Sequence, residues 1–287
     1  MFGRSMLKAA NSTSTDTVMA TDGTRLFCRD WGTGKPVVFV HSWAAHSDMW
    51  QYQMADLTAR GLRCVSFDRR GHGRSGQPDG GYDCDTLADD LAAVIETHDL
   101  HDVTLVGHSM GSCEIVRYLT RHGAGRVAGA ALVAPVTPFL LKTVDNPHGI
   151  DGAMFEALRG MWSRDFPKWV ADNTAPFFTP KTSPEMMRWG ADMLLQCPLK
   201  VAIDCQRAFT TTDFRTELRE IEVPVLVIHG DADASAPIDL TGRPTAALLP
   251  SATFELYEGA PHGLFVTHMD RLNDDLYDFA LGLSGWR

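Results

Sequence analysis

Hydrophobic positions along the chain change their period repeatedly, and each change marks an element. Residues 17–32 (TVMATDGTRLFCRDWG) hold Asp22-Gly23 between two alternating stretches, the signature of a tight hairpin. The run 35–42 (KPVVFVHS) is continuously apolar and β-branched, as strands buried on both faces tend to be. Met49, Tyr52, Met54 and Leu57 predict a helix over 48–60. A strand over 63–68 (RCVSFD), a Gly/Arg loop over 69–76 and a helix over 86–100 come next. Leu87, Leu91, Val94 and Ile95 form the apolar stripe of that helix, with Thr86 and Asp89 at capping-box spacing.

A strand over 102–109 (DVTLVGHS), a helix over 113–122 and a strand over 126–136 continue the alternation. It resumes with a strand over 223–230 (VPVLVIHG), a helix over 240–249, a strand over 252–258 (ATFELYE) and a closing helix over 269–283. Such alternation predicts an α/β fold, a mostly parallel twisted sheet with helices on both faces. Between 138 and 221 no strand is visible, while 154–162, 184–195 and 201–209 read as helices. The expected organisation is a core over 17–137 and 222–287, a helical lid inserted over 138–221, and a loose leader over 1–16.

Composition narrows the function classes. With 44% hydrophobic and 22% charged residues, the 287-residue chain is neither disordered nor low in complexity. Its 26 Lys+Arg against 36 Asp+Glu leave a formal charge of −10, which argues against a nucleic-acid partner. No apolar run reaches the roughly 18 residues of a membrane span. The N-terminus carries Arg4 and Lys8 but no apolar h-region, so it is not read as a signal peptide. Cys28, Cys64, Cys84, Cys113, Cys197 and Cys205 are scattered without a C-x-x-C pair, which suits buried thiols in a cytoplasmic protein and offers no metal site. A homo-oligomer is compatible with all of this.

Gly107-His108-Ser109-Met110-Gly111 matches G-x-S-x-G, and it lies between a predicted strand and a predicted helix. In that context the serine reads as a nucleophile on a sharp turn, with glycines where neighbouring backbones leave no room for a Cβ. The competing reading is an ordinary helix N-terminus with Ser109 as its cap. A nucleophilic serine needs a base, and the base an orienting acid. Asp231 and Asp233 follow the strand over 223–230, and His262 follows the strand over 252–258. Strand ends of this kind are where ligands gather. Amide donors for an oxyanion are expected from Met110, after the serine, and from Trp43, in the loop beyond Val40 and His41. His41 itself reads as a loop brace rather than a base.

Taken together, FVHSWAAHSDMW, FDRRGHGRSG, LVGHSMG, VIHGDADASAP and YEGAPHGLFVTH resemble the α/β-hydrolase superfamily. More narrowly they resemble its cofactor-free haloperoxidases, aryl esterases and perhydrolases, over about 17–137 and 222–284. In that family the acid precedes a proline by four positions, which selects Asp233, with Pro237, over Asp231. The resemblance implies Ser109 as nucleophile, His262 as base, and Trp43 and Met110 as oxyanion amides. It also implies ester cleavage through an acyl-enzyme, on a small-molecule ester or lactone, with no metal or organic cofactor. Hydrogen peroxide in place of water would give a peracid. The family has His-Gly where this chain has His41-Ser42.

Serine at the elbow argues against dehalogenase and epoxide-hydrolase chemistry, which uses aspartate there. Lactonase, lactamase and carbon–carbon bond hydrolase activities share the same triad, and a non-catalytic small-molecule receptor is the alternative of another class. The Gly-rich loop over 69–76 lacks a nucleotide-binding pattern and reads as a packed turn. Trp162, Phe166, Trp169, Phe177, Phe178 and Trp189 are expected to form the lid's own core rather than a pocket wall.

Overall fold

Two-sided burial puts the strand β3 (Pro36–Val40) at the centre of the molecule: Val37, Val38, Phe39 and Val40 are all buried. The computed structural model describes residues 16–282, so all of the leader over 1–16 except Asp16 lies outside the described residues. β1 (Thr17–Met19) and β2 (Arg25–Trp31) form the hairpin around Gly23, whose φ of 83° is the left-handed turn conformation glycine permits. β4 (Arg63–Phe67), β5 (Val103–His108), β6 (Val127–Val133), β7 (Val225–Gly230) and β8 (Ala252–Tyr257) complete an eight-stranded sheet. Its order is β1-β2-β4-β3-β5-β6-β7-β8. β2 pairs antiparallel with β1 and β4, and from β4 to β8 every pairing is parallel.

The period of two sorts the strands' side chains into two cores. Val38, Val40 and Leu105 pack with α2 (Cys84–Thr97) and α3 (Met110–Arg121) through Leu91, Ile95 and Ile115. Val37, Phe39 and Val106 pack on the other side with α1 (Gln51–Ala59) and α10 (Met269–Gly282) through Met54, Leu57 and Leu272. Burying each such side chain stabilises the fold by about 1.5–3 kcal/mol. Helices thus pack on both faces of the sheet.

Several element boundaries differ from the sequence pattern for local reasons. Asp83 is the cap of α2, its carboxylate accepting the Thr86 N–H at 2.9 Å, so Thr86 lies inside the first turn instead of capping it. A 3-10 turn over Ser47–Trp50 leads into α1, and α3 starts directly after Ser109. Between β6 and β7 run α4 (Gly152–Phe177), α5 (Pro184–Leu195), α6 (Leu199–Thr211) and α7 (Arg215–Glu220). α4 reaches far past the stretch its pattern predicts because Asp165 leaves helical geometry and caps Lys168 N–H at 2.9 Å, so Pro167 falls in a first turn, where its missing N–H costs nothing. α8 (Gly242–Leu248) and a short α9 (Leu264–Thr267) complete the chain. No described helix is long and apolar enough to cross a membrane.

Candidate active site

β5 ends on His108, and the chain turns into α3 through a single strained residue. Ser109 has φ 55° and ψ −117°, a conformation that costs a non-glycine residue on the order of 1–3 kcal/mol. Its N–H donates to Val133 O at 2.9 Å, which holds the turn against the end of β6. The flanking glycines are required by contact: a Cβ on Gly107 would meet Gly111 backbone at 2.7 Å, and one on Gly111 would meet Val40 O at 2.6 Å. The Ser109 hydroxyl makes no capping bond to α3, so the reading of this serine as an ordinary helix cap fails. It faces a cavity instead.

His262 lines the same cavity, in the loop after β8. Its Nδ1–H donates to Asp233 Oδ2 at 2.6 Å, since a carboxylate can only accept. Asp233 Oδ1 accepts the Ser235 and Ala236 N–H groups at 2.9 and 2.7 Å. Burial pushes this carboxyl's pKa up, but the facing His262, His229 and the Ala236 amide outweigh it and hold Asp233 far below the usual carboxylate range. Asp231 is exposed and clips the Gly259 N–H at 2.6 Å, outside the cavity. Of the two candidate acids, only Asp233 meets the histidine.

Two histidines not singled out by sequence reasoning brace this pair. His108 Nε2–H donates to His262 O at 2.8 Å, with the two rings 4.7 Å apart, so the residue beside Ser109 holds the His262 loop. His229 Nε2 lies 2.8 Å from Ala236 O and 3.2 Å from Asp233 Oδ2, steadying the acid loop. The available signal was position, for each ends or nearly ends a buried strand just before a loop residue of the site.

The loop after β3 is held from beneath. His41 Nδ1–H donates to Ser42 O at 2.7 Å and its Nε2 accepts Arg69 N–H at 2.9 Å. Both ring nitrogens are committed to backbone, which is the brace the sequence suggests. Arg69, fully buried, donates to His41 O at 2.7 Å and Ser42 O at 3.2 Å, and pairs with Glu114 on α3. The loop over 69–76 is thus a packed turn. Burial pushes Glu114 up to about 7 against the pull of Arg69. Ser42 does not adopt a positive φ; the strain falls on Ala44, at φ 54°. The Trp43 and Met110 N–H groups have no acceptor among the described residues.

The cavity encloses about 440 Å³ and is walled mainly by apolar side chains. Trp162, Trp169, Phe177, Phe178 and Trp189 line it, which corrects the expectation that these rings only pack on one another; of the six, Phe166 alone stays off the wall. They do both: Trp162, for one, stacks on Trp43 and also lines the cavity. Trp43 stacks on Trp162 at 4.6 Å, and its indole N–H donates to Ala202 O on α6 at 2.8 Å. Among the described residues no three His, Cys, Asp or Glu side chains converge as metal ligands.

A strained serine at a strand-to-helix turn, with a histidine–carboxylate pair after later strands of a mostly parallel sheet, defines an α/β-hydrolase architecture. The model of the alpha/beta hydrolase fold family matches residues 35–269, and the chain belongs to that family. It is similar to a non-heme chloroperoxidase of Kitasatospora aureofaciens, 38% identical over 90% of this chain and 96% of the relative. A bifunctional esterase/perhydrolase of Acinetobacter calcoaceticus is 36% identical over 91% of this chain and 98% of the relative. Among solved structures, a bromoperoxidase from Bacillus anthracis superposes with a TM-score of 0.87 at 35% identity, over 93% of this chain and 99% of the other.

Proposed function

We propose that this α/β hydrolase is a serine hydrolase that cleaves carboxylic esters of small, mainly apolar substrates through an acyl-enzyme. The observation that carries the reading is the pairing in one cavity of an uncommitted, strained Ser109 with a His262 oriented by Asp233 at 2.6 Å. Ser109 Oγ attacks the ester carbonyl while His262 takes its proton, and Asp233 fixes the imidazole tautomer. The Trp43 and Met110 amides receive the oxyanion, each worth roughly 3 kcal/mol of transition-state stabilisation. The alcohol leaves with the proton from His262, and water activated by the same histidine releases the acid. Hydrogen peroxide attacking the same acyl-enzyme releases a peracid and regenerates Ser109, a side reaction that the similarity to an esterase/perhydrolase supports. All six thiols are free and buried, which supports a reducing, cytoplasmic setting.

A panel of aryl esters, lactones and amides, assayed with hydrogen peroxide or water as acceptor, tests this on wild type and Ser109→Ala. Aryl esters of short apolar acids are expected to turn over, and Ser109→Ala to lose on the order of 10⁶ in kcat with its melting transition retained. Retention of more than a few per cent of the rate, in protein free of other esterases, would end the acyl-enzyme reading.

A further inference from the structure

The apolar cavity contains one polar group whose arrangement the proposed chemistry leaves unexplained. α4 and α6 form adjacent parts of its wall, α4 through Phe155, Leu158 and Trp162, and α6 through Gln206, Phe209 and Thr210. Both sets recur at helical spacing, so each presents one face. Gln206 sits in this wall and is only 2% exposed. Behind it, Arg159 on α4 donates to the Gln206 side chain through Nη1. A guanidinium can only donate, so the atom facing Arg159 is the amide oxygen, and the NH2 is the branch left free of that contact. That nitrogen has no partner among the described residues and is not fully sealed from solvent, and Gln206 is a lining residue of the cavity.

Arg159 has no such freedom. Its Nη2 pairs with Glu156 at 2.5 Å, so the guanidinium is both neutralised and occupied. Its role is to hold the glutamine in one orientation and, by polarising the amide, to strengthen the outward N–H donors. An amide NH2 facing an apolar space costs free energy unless an acceptor meets it. The wall carries no titratable side chain except His262, so nothing there compensates a charged ligand.

We infer that Gln206 is a specificity-determining donor that selects uncharged substrates carrying a hydrogen-bond acceptor oxygen, an ether or ketone, in the chain remote from the scissile ester. This rests on the esterase reading and names its substrate class: a largely hydrocarbon body with one added oxygen at the distance of Gln206. An all-hydrocarbon chain reaching the same wall would leave the amide donors unpaired. Sites built to bond a polar group discriminate against analogues that lack it more strongly than apolar pockets discriminate size.

Dialkyl ketones, which resemble the esters but cannot be hydrolysed, provide the probe. Each ketone is compared with analogues in which an ether oxygen replaces one methylene at successive positions, binding being read by calorimetry. Wild type is expected to favour the ether at one position by about tenfold, against its greater cost of leaving water. Gln206→Glu keeps an acceptor for Arg159 but turns the outward donor into an acceptor, and is expected to abolish or reverse that preference. Gln206→Met, similar in shape but without a donor, is expected to abolish it; if that variant does not fold, Gln206→Glu decides. A wild type that favours methylene at every position, or a preference that survives in the variants, overturns the assignment. The matched aryl esters are assayed separately: an ether preference in binding with no turnover strikes the esterase reading, whereas turnover with no ether preference strikes Gln206.

Discussion

The strand ends and the helical insertion meet in one cavity but are built by different means. At the strand ends the backbone does the positioning. Ser109 is held at φ 55°, two glycines permit contacts no Cβ would, and Asp233 Oδ1 takes two main-chain amides. Over α4 to α6 the positioning is done by side chains, through ring contacts such as Trp43–Trp162 and the Arg159–Gln206 bond. Backbone contacts of this closeness admit almost no substitution, while apolar walls tolerate volume-conserving repacking at modest cost. On the proposed function, this is a division of labour in which the reaction is set by one region and the substrate by the other.

After the loss of Ser109 itself, that division predicts its largest effect at the acid. Asp233→Asn should lower kcat by about 10⁴, because an amide donor facing Nδ1 favours the wrong imidazole tautomer. Asp231→Asn keeps a side-chain oxygen for the Gly259 N–H and should change kcat less than about threefold. Steady-state rates of both proteins against one aryl ester decide it. Comparable losses would mean the whole acid loop, rather than one oriented carboxylate, governs the step.

Acid should destabilise the whole fold through groups buried at the strand ends. Burial pushes His72 and His108 down to about 3, and His41 well below its ordinary value. Unfolded, these imidazoles take protons below about pH 6.5, so unfolding near pH 5 takes up protons. Their contribution is present above 6.5 and is lost as pH falls toward 3. Glu114 acts oppositely: burial raises it to about 7, so its smaller contribution is present below its unfolded value and fades as pH rises through 7. Three imidazoles against one carboxyl make the balance a net loss of stability as pH falls through 5. Urea midpoints between pH 7.5 and 5, read by far-UV dichroism and tryptophan fluorescence, should fall together. A flat midpoint removes the buried-imidazole account, and fluorescence falling first would place the weak point in the insertion.

What the sequence made legible follows the same division. Strand period, turn glycines and chain order are local, so the sheet, Ser109, His262 and the pair Asp231/Asp233 could be read directly, the choice of Asp233 needing the family's Pro237 spacing. His108 and His229 were missed because a place at the end of a buried strand tells where a histidine sits but not what it bonds; only the fold brings each to its partner. Gln206 was missed for a further reason. Its meaning depends on Arg159, 47 residues away, which fixes which end of the amide faces the cavity. The aromatic residues of α4 and α5 were misread as packing alone because helical spacing marks a face without saying whether another helix or a cavity lies against it.

Trp43 belongs to both regions, and it gives the smallest and sharpest effect. Its N–H serves the proposed oxyanion site, while its ring and indole N–H are fastened to Trp162 and Ala202. Trp43→Phe keeps the backbone donor and part of the stacking but deletes the bond to Ala202 O. With His41, Arg69 and Glu114 holding the loop from beneath, the amide should stay in place. Stability should drop by about 1 kcal/mol through the lost hydrogen bond and packing. kcat should stay within about threefold of wild type while KM rises, because the altered ring lies in the substrate wall, where uniform binding is lost. A kcat loss above about a hundredfold at unchanged KM would show that the insertion aims the oxyanion amide through the indole. The reaction and the choice of substrate would then be set by one coupled structure, not two.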